Sequence, residues 1–300
     1  MPRGKRYAND RAPTLDELRK LTQYPDRRIK PIVYTMVSSG IRLGAFDYLR
    51  WGDVTRITKH DKIVAAKIVV YAGEDEEYFS FITKEAYDSL HEWMDCRKQC
   101  GETVDKDTWL MRNLWDVTTP KGKGVVTIPK KLKSTGVKRL IERALWAQRL
   151  RMKLAPGKRR HEFQSDHGMR KTFKGRCELG GMKSINVETL MGHSIGIQDS
   201  YYRPTEEELL QDYLKATDFL TVDQGYSLQD QVNQLTERTK DSEEIIESKL
   251  QQKDSEILGW KKRYYKDVKG MIEKINHLVG RVCNKRTSLI ECLRHDFSKP

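Results

Sequence analysis

Residues 63–82 read IVAAKIVVYAGEDEEYFSFI, and the fold class turns on this stretch. Ile63-Val64 and Ile68-Val69-Val70-Tyr71 are β-branched or aromatic. Ala72-Gly73-Glu74-Asp75 interrupts them, and Tyr78-Phe79-Ser80-Phe81-Ile82 resumes the pattern. Two such runs around a polar turn predict a short antiparallel sheet. On both sides of it the apolar spacing becomes helical. Upstream, Thr14-Leu15-Asp16-Glu17 has the form of a capping box, in which the Thr hydroxyl caps the first turn and the Glu reaches back. A helix is expected from there to about Leu21. Ile32 to Val37 is an apolar helical stretch broken by Ser38-Ser39-Gly40, and Leu43 to Leu49 reads as helical again.

Downstream, Glu85 to Cys100 carries Ala86, Leu90, Trp93 and Met94 at helical spacing and stops at Gly101. Residues 116–130 read as a loop with Pro120, Gly122, Gly124 and Pro129. A helix is expected over about Val137 to Leu150, and residues 155–160 form another loop. Short helices follow from Ser165 to about Leu220. Beyond them Leu250, Ile257, Tyr264, Met271 and Leu278 recur every seven residues, and Val268, Ile275, Val282 and Leu289 form a second row. Two heptad rows predict a long helix or coiled coil. Gly259, Gly270 and Gly280 weaken it by roughly 1 kcal/mol each relative to Ala. The expected architecture is mainly α with a small antiparallel β-sheet, followed by a C-terminal long helix or coiled coil. Residues 1–13 read as a basic arm or linker, 14–222 as the principal domain and 223–300 as a helical or coiled-coil tail.

Composition narrows the classes. None of the 300 residues belongs to an apolar run near the ~20 needed to span a bilayer. Six Trp, thirteen Tyr and seven Phe supply core material that a disordered chain lacks. No apolar segment follows the basic start, so no secretory signal is expected. Five cysteines are too few for a disulfide framework, and a reducing cytoplasm is the expected setting. The net charge is +13, and residues 121–174 alone hold seventeen Lys or Arg against three acids. That concentration of positive charge, with Trp146, Phe163 and Phe173 inside it, predicts a nucleic-acid partner. The tail, with fifteen basic and thirteen acidic residues, is nearly balanced and predicts helix pairing instead.

The chemistry lies in a few separated motifs. Arg42 sits in Ser39-Gly40-Ile41-Arg42, His167-Gly168-Met169-Arg170 places a His and an Arg three apart, and Leu190-Met191-Gly192-His193 puts a His after a tight turn. Tyr201-Tyr202-Arg203-Pro204 follows eight to nine residues on. His161, His167 and Cys177 lack paired ligand spacing, so no metal site is expected. No nucleotide-binding motif is present, and no cofactor is expected.

This ordered set resembles the tyrosine recombinase (phage integrase) family over about residues 10–222. That family carries an Arg after a Ser/Thr-Gly turn, a Lys in a β-hairpin, His-x-x-Arg, Gly-His and a Tyr. The run from Tyr201 to Ala216 resembles its archaeal branch. The resemblance implies a DNA-cleaving and rejoining domain in which Arg42 and Arg170 clamp the scissile phosphate. His167 accepts the nucleophile's proton, His193 orients or hydrogen-bonds the phosphate, and Tyr202 attacks, with Tyr201 as the alternative. Guanidinium forks suit two phosphate oxygens as ammonium groups do not, and a phenol of pKa near 10 needs help to ionise. The implied partner is double-stranded DNA, with four protomers assembling on two duplexes, and no membrane is involved.

Two departures stand out. The turn that holds the family's Lys is acidic here. Lys67 is the first candidate for that role, with Lys84, Lys131 and Lys133 behind it. Only about a dozen residues precede the catalytic-type segment, where the family has a clamp domain, so weaker site-specific binding is expected. Other classes compatible with the sequence are a catalytically weak or inactive DNA-binding protein of the same fold, a type IB topoisomerase-like enzyme, and an interaction protein built on the tail.

Overall fold

In the computed structural model, residues 11–114, 129–154, 156–157, 161–162, 164–194 and 202–296 are described. Phe163, Tyr201, residues 115–128 of the first basic loop and residues 155 and 158–160 of the second lie outside them. The chain divides into two compact units, Met1–Gln229 and Asp230–Pro300.

The first unit is mainly helical around one small sheet. Helix α1 (Leu15–Thr22) opens with the capping box: Thr14 Oγ1 accepts from the Glu17 amide, and the Glu17 carboxylate accepts from the Thr14 amide at 2.7 Å. Helix α2 (Ile29–Ser39) is buried almost throughout. The helical stretch expected over Leu43 to Leu49 is a short 3₁₀ helix, Leu43–Asp47, and a second 3₁₀ turn, Trp51–Asp53, follows it. Strands β1 (Val54–Lys59), β2 (Lys62–Val70) and β3 (Tyr78–Thr83) follow, and then helix α3 (Lys84–Gln99), capped by Thr83. Among the described residues, helices α4 (Ser134–Ala147), α5 (His167–Leu179), α6 (Ser184–Leu190), α7 (Glu206–Leu214) and α8 (Thr217–Leu220) follow.

The sheet is antiparallel in the order β1-β2-β3. Strand β1, absent from the sequence reading, is joined to β2 through His60 and Asp61, at φ 48° and 60°. Two consecutive positive φ values make the turn whose twist matches a hairpin. Register pairs Val70 with Tyr78, Ile68 with Ser80 and Lys67 with Phe81. Side chains alternate between faces, so Tyr78, Ser80 and Ile82 share one face, and Phe79, Phe81 and Lys67 share the other. Apolar clusters cover both sides. Ile68, Val70 and Ile82 pack with α2, α3 and α4 residues such as Val33, Leu90 and Ile141. Ala65 and Phe81 pack with Phe173, Val187, Leu190 and Tyr213.

Two buried carboxylates brace this body. Glu102 lies between Arg97 and Arg112, accepting from Arg97 at 2.5 and 3.0 Å and from Arg112 at 2.6 Å. Glu85, at the start of α3, accepts the amides of Val222 at 2.9 Å and Asp223 at 2.7 Å. Burial pushes the Glu85 carboxyl up from 4.5 to about 7, against the pull of those two amides. An acid whose folded pKa is raised holds its proton more tightly when folded. Its contribution is therefore complete below pH 4.5 and is lost as pH rises through 7. The shift corresponds to about 3 kcal/mol. Glu85→Gln should flatten the fall in denaturant-derived stability between pH 5 and 7.5, and equal slopes for the two proteins would contradict this assignment.

The long helix α9 spans Gln224–Asp296. Its heptad positions Leu250, Ile257, Met271, Ile275, Leu278 and Val282 are all exposed. Gly259, Gly270 and Gly280 have open space where a Cβ would stand, and the helix continues through all three. No helix among the described residues is long and apolar enough to cross a membrane.

Candidate functional site

The site is built on two left-handed glycine turns. Helix α2 ends when Ser38 and Ser39 turn their hydroxyls back to the Tyr34 and Thr35 carbonyls, at 2.6 and 2.5 Å. Gly40 then takes φ +64°. A Cβ there would lie 2.3 Å from the Phe173 ring, so conformation and space both demand glycine. Ile41 is buried, and Arg42 follows in extended geometry. The second turn closes α6, where Gly192 takes φ +65° and a Cβ would meet the Tyr78 ring at 2.6 Å.

The arginines tie the two turns together. Arg42 Nη2 donates to the Gly192 carbonyl at 2.9 Å. Arg170, buried in the first turn of α5, donates to the Gly40 carbonyl through Nη1 and to the Met191 carbonyl at 3.3 Å through Nη2. Its Nη2 also lies 2.6 Å from His193 Nε2. Arginine can only donate, so Nε2 accepts and the imidazole proton sits on Nδ1. That proton is directed at Glu188 Oε2, while Glu188 Oε1 holds Lys174 Nζ at 2.5 Å. Burial raises the Glu188 carboxyl, but the bonds from Lys174 and His193 outweigh it and leave it below its ordinary value. Burial pulls the Arg170 guanidinium down, and the nearby Arg42 charge adds to this.

Arg42, Arg170 and His193, which are far apart in sequence, thus meet at one place. His167 opens α5 one turn before Arg170, with an exposed side chain. Tyr202 is held elsewhere: its hydroxyl donates to Asn186 Oδ1 at 2.8 Å. Asn186 Nδ2 in turn donates to Asp212 at 2.7 Å, and Asp212 also takes the Lys183 amide and the Lys215 ammonium. Lys67 lies on the sheet face opposite Tyr78. It is paired with Glu206 at 2.5 Å and sits 4.8 Å from the Phe79 ring centroid. Lys84 pairs with Asp88. Lys131 donates to the Asp47 carbonyl at 2.7 Å and covers the Trp109 ring. Lys133 precedes the first turn of α4.

The sequence reading missed Glu188, Lys174 and Asn186, which position the chosen residues. Their one available signal was spacing. Glu188 stands five residues before His193, and Asn186 two before Glu188, on a seven-residue helix. Tyr71 and Tyr78, at the ends of the acidic turn, were also missed. Their rings lie 6.1 Å apart, and the charges of Arg42 and Arg170 act on both phenols.

No protein-family model matches the chain, and no curated protein sequence matches it. Among solved structures, the chain is similar to the XerA recombinase at TM-score 0.45 and 16% identity, covering 71% of this chain and 65% of that one. XerH site-specific recombinase bound to its difH substrate gives 0.42 and 17%, over 68% and 50%. A lambda integrase (75–356) dimer bound to a COC′ core site gives 0.40 and 16%, over 66% and 61%. The chain therefore spans between half and two-thirds of these proteins' lengths.

Proposed function

We propose that this chain cleaves and rejoins double-stranded DNA through a 3′-phosphotyrosine intermediate, as a site-specific recombinase of the tyrosine integrase kind and of its archaeal branch. The observation that carries the reading is the meeting of Arg42, Arg170 and His193 across the two glycine turns. Two guanidiniums joined there offer bidentate donors to one phosphate, and charge building on its non-bridging oxygens during displacement would be met by fixed positive groups.

In this scheme Tyr202 leaves Asn186, and its phenolic proton passes to His167. The phenolate oxygen forms a bond to phosphorus as the bond to the 5′-oxygen breaks. The departing 5′-oxygen takes up a proton and becomes a hydroxyl, and a second strand's 5′-hydroxyl reverses the step. One ester replaces another, so the scheme draws on neither ATP nor metal. Lys67, the candidate proton donor to the 5′-oxygen, must part from Glu206 to serve. Within this reading four protomers assemble on two duplexes in the cytoplasm.

A second reading keeps DNA binding and drops cleavage. It is favoured by the bonds that engage Tyr202 with Asn186 and Lys67 with Glu206. A duplex nicked near the cleavage position separates the two, because cleavage releases a short strand and traps the enzyme on DNA. A wild-type adduct on denaturing gels is the expected result. A retarded band on native gels with no adduct at any sequence would leave the binding protein standing. Relaxation of supercoils without site preference would point instead to a type IB topoisomerase-like enzyme.

The tail is proposed to pair with another copy of itself through its exposed heptad rows. Ile257→Asp combined with Ile275→Asp should lower the sedimentation-derived mass to that of a monomer. An unchanged mass would remove the tail from self-association.

A further inference from the structure

The Tyr78 hydroxyl is a buried polar atom that the scheme above does not use. Among the described residues no acceptor takes its proton, and the Arg170 guanidinium, itself only a donor, lies within hydrogen-bonding reach of its oxygen. Its surroundings define what it could bond. The ring packs against the Gly192 turn, whose carbonyl takes Arg42 and whose next residue is His193. The charges of Arg170 and Arg42 act directly on the phenol. A guanidinium has no acceptor, so neither arginine can receive the phenolic proton. Leaving such a donor unpaired costs roughly 1–3 kcal/mol. A group that accepts this proton and also offsets two guanidiniums is an anionic oxygen. Burial raises the Tyr78 phenol, and the two arginines only partly offset this. It therefore keeps its proton at neutral pH and serves as a donor rather than a base.

The hairpin adds a second line of argument. Its turn, Ala72 to Glu77, contains four acids and no Lys, so no cation reaches the site from there. Tyr78 is the first residue of β3, opposite Val70, on the face away from Lys67. The donor that this hairpin brings to the arginines is therefore a neutral hydroxyl on the strand itself.

We propose that the Tyr78 hydroxyl donates a hydrogen bond to a non-bridging oxygen of the phosphodiester held by Arg42 and Arg170, as a third donor beside the two guanidiniums. This rests on the strand-transfer reading above. Tyr78→Phe keeps the ring against Gly192 and removes one oxygen. Tyr48→Phe is the matched control, since Tyr48 is 45% exposed and meets the Tyr71 ring edge-on.

The test is single-turnover cleavage of a nicked duplex by the full chain, with DNA affinity and melting temperature measured on the same preparations. Tyr78→Phe should slow adduct formation by about 10- to 100-fold and leave Kd within about twofold. Tyr48→Phe should match wild type. With a methylphosphonate at the scissile position, the diastereomer lacking the contacted oxygen should show less than about a threefold effect of Tyr78→Phe. A Tyr78→Phe rate equal to wild type overturns the proposal, as does an undiminished loss on both diastereomers. Either result leaves the strand-transfer reading intact. Failure of the wild type to form any adduct defeats that reading instead.

Discussion

Tyr202→Phe should yield no covalent protein–DNA adduct under conditions in which the wild type forms one. The substitution removes the only atom that the scheme places on phosphorus, and no binding energy can replace it. Tyr201→Phe should still form the adduct. The reverse pattern would move the nucleophile by one residue without disturbing the rest of the site. Arg170→Ala is the companion case, because Arg170 joins both glycine turns and also holds His193. Its removal should cost about 10³-fold or more in cleavage, near 4 kcal/mol of transition-state stabilisation. It also strips a donor from the Gly40 and Met191 carbonyls, so part of any loss reflects folding. Arg170→Lys keeps the charge but cannot reach two turns at once. Cleavage by Arg170→Lys at the wild-type rate would show that charge alone suffices.

The largest effect on stability is expected from Glu102→Ala. The carboxylate is 2% exposed, between two guanidiniums that are fully buried. Burial raises its pKa, but the bonds from Arg97 and Arg112 outweigh that and hold it below the ordinary carboxylate range. Removing it leaves two like charges facing each other away from water. Breaking a buried ion pair in this way costs about 3–5 kcal/mol, which for a body of this size lowers the melting temperature by on the order of 10 °C. Replacing all three residues with Met or Leu should recover much of the loss, because the desolvation of the charges disappears with them. A shift under about 2 °C for Glu102→Ala would mean that water reaches the cluster on local opening.

Local chemistry was the part that the sequence carried well. The Thr14–Glu17 capping box is present as read, and the β2–β3 hairpin follows from its β-branched and aromatic runs. The arginines and His193 were found because each sits in a short motif with a glycine turn or a helical spacing. Strand β1 escaped notice because Val54–Lys59 is mostly exposed and two-thirds polar, and because His60-Asp61 is not a composition that announces a two-residue turn. The segment after Arg42 winds as a 3₁₀ helix with Gly44 inside it, and Gly52 sits in the second 3₁₀ turn. Gly52 is needed there because a Cβ would press on the Lys106 carbonyl at 2.8 Å. Long-range choices were the least visible. Lys67 and Tyr78 differ by strand parity, which is known only once register is known. Asn186 becomes a partner of Tyr202 only through the approach of α6.

The two glycine turns have a consequence for descent. A methyl group at position 40 strikes the Phe173 ring, and one at position 192 strikes the Tyr78 ring, so neither turn can drift alone. A lineage that replaced Gly192 would have to shrink residue 78 in the same episode, and one that replaced Gly40 would have to shrink residue 173. Both positions also hold a left-handed φ, which a smaller neighbour does not relieve, so kindred sequences should keep glycine at both.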